Sequence, residues 1–446
     1  MDSGNALASS MKWAIRHGMA LLYLRPLAGR GDAHAQLWFG EPTTQRLPDL
    51  QDEIRSRGEV VRGKGGTVVT SHRIARGILA RPREFRNLEA ALAMPRWLGR
   101  MYSAVGKRAF SDPFESPSLV GLEGRELARA RALFKHRLSR AAVDRLRPDI
   151  TDRAKMLSLD LPTRSEDGRV DVVGDYARRL SQEILALLFD IDVAEVADIS
   201  ADVDRVSRLI DLGVPFREFL RSGRSAARLD RWTDAQIART TAGSTSIIGP
   251  SVAAMRAGEL DPEQLRRSVN LLVVAGYTTT ISAVASGIKL LIENPDALYV
   301  LRANPHLWPL AVDEVLRIAG PVMMMPRYSV RSATLGGFRT KPERPVYVTG
   351  VNTDPAQYEC PHRFDVSRPN AGTHLAFGGG AHRCLGAVLA EAEIEIGLRE
   401  FFAVWSDVDL IEAERSSAIL VRSWERMVVQ LPTPQQRPVH STGVVR

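Results

Sequence analysis

The stretch that decides the fold is FGGGAHRCLG, residues 377–386, a glycine-rich loop that contains a single cysteine, Cys384. Apolar residues recur at helical spacing from Leu385 to Ile396, which places Cys384 at the predicted N-terminus of a helix. The helix dipole and the unpaired N–H groups there would favour the thiolate over the thiol. A lone cysteine after a loop is also consistent with a buried structural residue, so the surrounding pattern has to decide.

That pattern resembles the haem-binding loop of the cytochromes P450, Phe-x-x-Gly-x-His-x-Cys-x-Gly, and every fixed position is filled. The resemblance implies a mainly α fold with a small β region, the triangular helical haem-thiolate domain of that family. It also implies haem b (iron protoporphyrin IX) with Cys384 as the metal ligand, a ligation that favours O–O cleavage. The other residues that the resemblance assigns to cofactor binding are Phe377, Gly378, His382, Gly386, His374, Arg131 and Arg327.

A second motif lies in a long apolar segment, residues 261–293, which begins with an Asp-Pro pair suited to a helix start. About thirty residues form a rod of roughly 48 Å. At its middle an apolar run gives way to three threonines, whose hydroxyls can bond carbonyls one turn back. Taken alone, this is equally well a glycine-kinked core helix. Beside the cysteine loop it resembles the P450 oxygen-binding helix, which assigns catalytic positions to Ala275, Gly276, Thr278 and Thr279.

Two positions depart from the family pattern. Thr278 stands where the family usually has a carboxylate that helps to relay protons, beside Thr279, which matches the threonine that holds oxygen. Slower or leakier oxygen activation, protonation assisted by the substrate, or use of peroxide would each follow. Leu127 replaces a histidine that contacts a haem propionate, so that one contact is missing while Arg131 is retained.

The Glu-Val-Leu-Arg segment at residues 314–317 matches the family's Glu-x-x-Arg helix. Its spacing places Glu314 and Arg317 on one face of a helix, where they can pair. Alone, such a tetrapeptide is more simply a surface ion pair. The resemblance gives both residues a structural role, in which they hold the loop near Arg363.

An apolar substrate cavity is expected beside the haem. The three consecutive methionines at residues 323–325 are equally consistent with core packing, because methionine fills irregular apolar space. Short β-rich runs at residues 59–61, 67–70, 328–330 and 346–348 indicate the small β region. The residues predicted to line the cavity are Val273, Val274, Val322, Met323, Met324 and Leu420.

Composition narrows the class of protein. The 446 residues are 44% hydrophobic with a net charge of +8, and Arg is scattered without interleaved aromatics, so nucleic-acid binding is not expected. Two cysteines cannot build a disulfide framework, which fits a reducing cytoplasm. We expect no integral membrane anchor. The organisation that we predict is a helical N-terminal extension at 1–44, with a signal peptide as the alternative, a haem domain at 45–432 and a disordered tail at 433–446.

The resemblance therefore implies a bacterial, actinobacterial-like P450 monooxygenase of the three-component type, expected as a monomer. We expect no flavin domain, so electrons would come from a ferredoxin and a ferredoxin reductase, with O2 as oxidant. The substrate would be an apolar small molecule such as a lipid, steroid, terpenoid or polyketide, which is hydroxylated or epoxidised. Three alternatives stay open: a peroxide-driven enzyme, a tailoring enzyme that couples or dehydrogenates, and a non-catalytic haem sensor.

Overall fold

The computed structural model describes residues 3–40, 46–87, 94, 96–106, 109–165, 167–241 and 243–432, and most of them are helical. The tail predicted for residues 433–446 lies outside these ranges. The α-helices are α1 (Ser3–Trp13), α2 (Met19–Ala28), α3 (Ala33–Phe39), α4 (Leu47–Ser56), α5 (His72–Leu79), α6 (Arg96–Gly106), α7 (Gly124–Leu138), α8 (Arg140–Asp160), α9 (Arg179–Phe189), α10 (Val193–Ser207), α11 (Phe216–Arg239), α12 (Gly249–Arg256), α13 (Pro262–Glu293), α14 (Pro295–Ala303), α15 (Trp308–Ala319) and α16 (Ala387–Val404).

The long helix α13 runs through the largest cluster of buried apolar side chains. Its start is confirmed as predicted, since the side chain of Asp261 accepts the N–H of Gln264 at 2.9 Å and Pro262 occupies the first turn. Helix α16, which follows the cysteine loop, packs directly on α13. A Cβ at Gly287 would lie 2.7 Å from Cδ1 of Leu398 on α16, so a larger residue there would require that buried side chain to shift.

Of the helices that the structure describes, α13 alone is long and apolar enough to cross a membrane. In its most apolar window 78% is buried inside the protein, and its neighbours are other helices of the core. Length and apolar composition therefore reflect its place as a core helix.

Strands form a small region beside the helices, as the β-rich runs predict. A five-stranded sheet has the order β1-β2-β8-β5-β3, in which only β2 and β8 are parallel. A three-stranded sheet has the order β4-β10-β9, and β6 pairs with β7. The strands are β1 (Val60–Arg62), β2 (Thr67–Val69), β3 (Phe85–Asn87), β4 (Arg169–Asp171), β5 (Met324–Ser329), β6 (Thr334–Leu335), β7 (Phe338–Arg339), β8 (Arg344–Thr349), β9 (Asp409–Arg415) and β10 (Trp424–Gln430).

The first three helices pack on the rest of the chain. A π-helical turn, Ala14–Gly18, joins α1 to α2. The indole N–H of Trp13 donates to the carbonyl of Val214 at 2.7 Å, and its ring meets Phe216 edge-on at 5.2 Å. These contacts fix the N-terminal helices against the segment that leads into α11.

Helix α15 carries the Glu314–Arg317 pair, and both side chains are fully buried. Arg317 donates to both carboxylate oxygens of Glu314, at 2.6 and 2.8 Å, and to the carbonyls of the loop that precedes the cysteine. The second arginine on Glu314 is Arg368, at 3.1 Å, whereas Arg363 contributes its carbonyl and turns its side chain outward to Asp365. Glu314 and Arg317 thus hold the loop near Arg363, as predicted, through the Arg363 carbonyl, while Arg368 supplies the side chain that points inward.

Removing the Glu314 carboxylate should destabilise the fold strongly, because two arginines would stay buried without their anion. We expect Glu314→Ala to lower the free energy of unfolding by about 3–5 kcal/mol, measured by urea unfolding followed by circular dichroism. The control is Arg363→Ala, which removes only an exposed ion pair and should change stability by less than about 1 kcal/mol. Equal effects of the two variants would contradict this account of the pair.

Candidate active site

A cavity of about 500 Å³ lies between α13 and the cysteine loop. The α13 residues that line it follow a helical repeat of three and four, which gives one continuous face of that helix. At Gly276 a Cβ would find no atom within 4 Å, so this face opens onto free space. The lining residues of α13 are Leu271, Leu272, Ala275, Gly276, Thr279, Thr280 and Ala283.

The cysteine loop forms the opposite wall. The N–H of Cys384 donates to the carbonyl of Phe377 at 2.8 Å, which closes the loop. Gly378 and Gly380 have φ of 68° and 66°, and a Cβ at Gly380 would lie 2.0 Å from the carbonyl oxygen of Leu79. Glycine is therefore required at position 380, both by its backbone conformation and by the approach of α5.

Cys384 does not lie in the first turn of α16 as predicted. The helix begins at Ala387 with Gly386 as its N-cap, two residues beyond the cysteine. Burial raises the pKa of the Cys384 thiol, against the lowering effects of a hydrogen bond from the Gly386 N–H and of the Arg131 and Arg383 charges. The protein alone therefore favours the thiol, and metal binding has to displace its proton.

Cationic groups collect around the cysteine. Arg131, Arg327, His382 and Arg383 all line the cavity. Two described carboxylates lie near them: Glu123, whose Oε2 is 3.3 Å from His382 Nε2, and Glu391, whose charge acts on Cys384. Arg131 donates to the carbonyl of Arg383 at 2.8 Å, which ties α7 to the loop. The positive charge around the cysteine is thus only partly balanced by the protein.

Arg327 shows the imbalance most clearly. It is 7% exposed and, among the described residues, no carboxylate lies within ion-pair distance of it. Burial lowers its pKa to about 10, although the charge of Glu123 works against this. A buried arginine without an anion is costly, so a dianionic cofactor placed here would stabilise it. The residues present fit the two propionates and the thiolate-bound iron of haem, while Leu127 is buried and offers no polar contact.

The threonines of α13 differ from one another. Thr279 faces the cavity, and its hydroxyl donates to the carbonyl of Ala275 at 2.6 Å. Thr280 donates to Gly276 at 2.7 Å. Thr278 is 8% exposed, does not line the cavity, and its buried hydroxyl has no partner among the described residues. The structure thus brings Thr279, but not Thr278, to the site.

Comparison with known proteins decides the family. The family model described as Cytochrome P450 matches residues 250–406. Cytochrome P450 140 of Mycobacterium tuberculosis is 32% identical over 444 residues, which cover 95% of this chain and 98% of the relative. This chain belongs to the cytochrome P450 family.

Solved P450 structures share its fold. A myxobacterial P450 in complex with myristic acid has a TM-score of 0.76 at 24% identity, over 88% of this chain and 98% of the other. Epothilone D-bound P450epoK has a TM-score of 0.76 at 22% identity, with the same coverage. The P450 fold, haem bound through a cysteine thiolate and monooxygenase activity are therefore established for this chain at the level of its family.

Only some of the residues predicted to line the substrate cavity do so. Val322, Met324 and Leu420 line it, whereas Val273, Val274 and Met323 do not. Val273 and Val274 lie in the apolar core on the other face of α13, because residues 275, 276 and 279 occupy the cavity face. Met323 packs in a separate apolar cluster.

The other predicted cofactor residues divide similarly. Phe377, Gly378, His382, Gly386, Arg131 and Arg327 line the cavity beside Cys384. His374 does not: its Nε2 lies 3.4 Å from Asp313, and its Nδ1 accepts the N–H of Ala376 at 3.1 Å. Its contacts therefore belong to the loop that supports the cysteine and not to the cavity.

The sequence prediction omits four Arg and Glu residues of the cavity wall, which are Arg16, Glu115, Arg383 and Glu393. Glu393 of α16 lines the cavity, is fully enclosed, and accepts a hydrogen bond from Ser181 at 2.6 Å. Its signal was present, since it lies four residues after Leu389 on the apolar face of the helix. Arg16 also lines the cavity, from the N-terminal helices, and no local pattern points to it.

Glu393 should make stability depend on pH. Burial raises its pKa to about 8 from 4.5, against the lowering effect of Ser181. The folded protein thus holds this proton more tightly than the unfolded chain, and the stabilisation is lost as pH rises toward 8. We expect Glu393→Gln to gain stability relative to the parent between about pH 5 and pH 8, by at most about 1.4 kcal/mol per pH unit, in thermal melts of the haem-loaded protein.

A matched control is Glu395→Gln, which changes a carboxylate of the same helix that pairs with Arg147 outside the cavity. That variant should keep the parent's dependence of melting temperature on pH between these limits. If Glu393→Gln also keeps it, the carboxyl of Glu393 is not the group that holds the proton.

Proposed function

We propose that this P450 hydroxylates or epoxidises an apolar small molecule of the lipid, steroid, terpenoid or polyketide class, bound between α13 and the cysteine loop. The observation that carries this is a mostly apolar cavity with Cys384 on one wall and Thr279 on the other. In support, one structural relative was solved with myristic acid, another with epothilone D, and 6-deoxyerythronolide B hydroxylase of Saccharopolyspora erythraea is 33% identical over 180 residues.

Cys384 is the thiolate ligand in this proposal. The chain has two cysteines, and of these Cys384 lines the cavity whereas Cys360 does not, so Cys384 is the one that faces the space for haem. Arg131, Arg327 and His382 would hold the propionates by charge and hydrogen bonds. Haem in this setting supplies the oxygen activation that insertion into a C–H bond requires.

Thr279 is the residue of this chain that we assign to handling oxygen and protons. Its single hydroxyl proton is donated to the Ala275 carbonyl, so towards the cavity the oxygen atom acts as an acceptor. Rotation about χ1 would free the proton and expose that carbonyl at the same time. Thr279 can thus accept in one rotamer and donate in the other, while α13 stays in place.

A second function is favoured by one observation, the buried hydroxyl of Thr278 at the position where the family has an acid. Without a carboxylate there, proton delivery for O2 would be slower, and peroxide would supply both oxygen and protons. Product formation with peroxide alone, faster than with O2 and reductant, would identify a peroxygenase. A product without an added oxygen atom would instead indicate coupling or dehydrogenation.

Thr279→Ala should uncouple oxygen use from oxidation of the substrate. We expect product formed per reductant consumed to fall at least about tenfold, with peroxide released in its place, because the positioned hydroxyl is lost. The assay supplies O2, ferredoxin and ferredoxin reductase and measures product, reductant and peroxide. Thr278→Val is the control and should keep the parent's coupling, since this side chain lies outside the cavity. If Thr279→Ala forms as much product per reductant consumed as the parent does, Thr279 has no role in handling oxygen.

Electrons are proposed to come from a ferredoxin and its reductase, and we place the chain in the cytoplasm as a monomer. The basis for the ferredoxin is the net charge of +8 together with exposed cations at the junction of α7 and α8. Lys135 and Arg140 lie there, and α7 is bonded to the cysteine loop through Arg131. An acidic ferredoxin would be attracted to this face, close to the cysteine.

Charge reversal tests the docking face. Lys135→Glu with Arg140→Glu should raise the KM for ferredoxin about tenfold at low salt with little change in kcat, because attraction becomes repulsion. The effect should shrink at high ionic strength. The control is Arg224→Glu, an equally exposed change on α11. An unchanged KM in the double variant, or an equal rise in the control, would place the ferredoxin elsewhere.

A further inference from the structure

A charged group from the N-terminal helices forms part of the cavity wall. Arg16 lies in the π-helical turn between α1 and α2, is 8% exposed, and lines the same cavity as Cys384. The wall around it comes from the loop before α7 and the turn before α11, with Glu115 and Ile210 as neighbours. Apolar side chains, among them Phe114, Leu119 and Leu212, also line the cavity, and Arg16 and Glu115 are among its charged groups.

A buried network holds Arg16 in place. Its Nη1 donates to Asp112 at 3.2 Å, and its Nη2 donates to the carbonyl of Ile210 at 3.4 Å. Glu115 lies 3.9 Å away and is paired with Lys12 at 3.0 Å, and it also accepts from the hydroxyl of Tyr102. We call these five residues, Lys12, Arg16, Tyr102, Asp112 and Glu115, the Arg16 cluster.

The guanidinium of Arg16 has N–H groups that donate no hydrogen bond to the described residues. Of its five N–H groups, two are used in the bonds to Asp112 and Ile210, and the guanidinium also interacts with the hydroxyl of Tyr102. The Nε–H is buried and has no partner among the described residues. The buried Nε has almost no accessible surface, so an oxygen atom bound in this part of the cavity would accept from one of the remaining Nη–H groups of Arg16, which lines the cavity.

The charge of the cluster selects the kind of oxygen. The cluster is balanced in formal charge, with Lys12 and Arg16 positive and Asp112 and Glu115 negative. Burial raises the pKa of Asp112, against the lowering effects of Lys12 and Arg16. An added carboxylate would leave a net negative charge in a buried site and would meet Glu115 on the same wall, which is unfavourable. A carbonyl or hydroxyl oxygen accepts the hydrogen bond without adding charge.

We propose that Arg16 determines substrate specificity by binding a neutral acceptor oxygen, such as a ketone or ester carbonyl, on an otherwise apolar substrate. This rests on the proposed oxidation of an apolar molecule in the same cavity. It narrows that class: neutral molecules with one carbonyl are preferred over free fatty acids and over plain hydrocarbons. The N-terminal helices then contribute directly to substrate recognition.

The test compares three probes of equal chain length, methyl decyl ketone, laurate and dodecane, on the ferric haem-loaded protein. Dissociation constants come from the shift of the haem absorption band and, independently, from isothermal titration calorimetry. The parent should bind the ketone more tightly than laurate. Arg16→Met should weaken ketone binding about tenfold and leave dodecane binding nearly unchanged, because only the ketone loses a hydrogen bond.

Two further variants guard against misfolding of Arg16→Met. Asp112→Asn keeps Arg16 but gives the cluster a net positive charge, so laurate should gain affinity relative to the ketone about tenfold. Lys12→Met removes a cation from the same cluster, yet its side chain does not line the cavity. It should therefore leave the preference for ketone over dodecane as in the parent.

The outcomes separate the two proposals. An intact haem-thiolate absorption band with an unchanged ketone-to-dodecane ratio in Arg16→Met overturns the role of Arg16 alone. Preference of the parent for laurate, or an unchanged laurate-to-ketone ratio in Asp112→Asn, overturns the neutral acceptor. A parent protein that binds none of the probes and forms no product from any apolar ligand would instead refute the proposed function.

Discussion

The haem-binding part of the structure depends on the hydrogen bonds and ion pairs made by the buried carboxylate of Glu314. It accepts bonds from Arg317, from Arg368 and from the N–H of Asp365, at 2.6 to 3.1 Å, so one anion joins α15 to the irregular loop that leads to the cysteine. That loop contains little regular structure to satisfy its carbonyls, and Arg317 and Arg368 donate to several of them. The loop is therefore held by charge and hydrogen bonds, because apolar packing alone could not define its path.

The sequence predicts well those features that depend on residues close together in the chain. The cysteine loop, the start and end of α13 and the short strands follow from glycine placement, capping residues and periodicity, and the structure contains them. The sequence predicts the helix start at Cys384, but the helix begins at Ala387, because the repeat of apolar side chains includes Leu385 while the backbone there is not yet helical. The prediction that Val273 and Val274 face the cavity is wrong. In a helix that is apolar on all sides, the sequence does not show which face points to the cavity.

Other features of the site depend on contacts between distant parts of the chain. Arg363 and Arg368 are both in the same loop, and only its folded path shows which one reaches Glu314. Arg16 and Asp112 are 96 residues apart, and Arg16 and Ile210 are 194 apart. No spacing rule connects such residues. The polar groups of the cavity therefore fall into two sets: cations around the cysteine, which a family motif reveals, and a balanced cluster in the N-terminal wall, which only the fold assembles.

The close approach of α13 and α16 at Gly287 has a consequence for how the chemistry can be tuned. Gly287 lies eight residues after Thr279, about 12 Å along the same helix. Leu398 lies on the helix that follows Cys384. The contact between Gly287 and Leu398 therefore connects the helix that carries the Thr279 hydroxyl to the helix that follows the Cys384 sulfur. A methyl group at Gly287 would press on the end of the Leu398 side chain, so the contact that links the threonine-bearing helix to the cysteine-bearing one involves a residue outside the cavity lining.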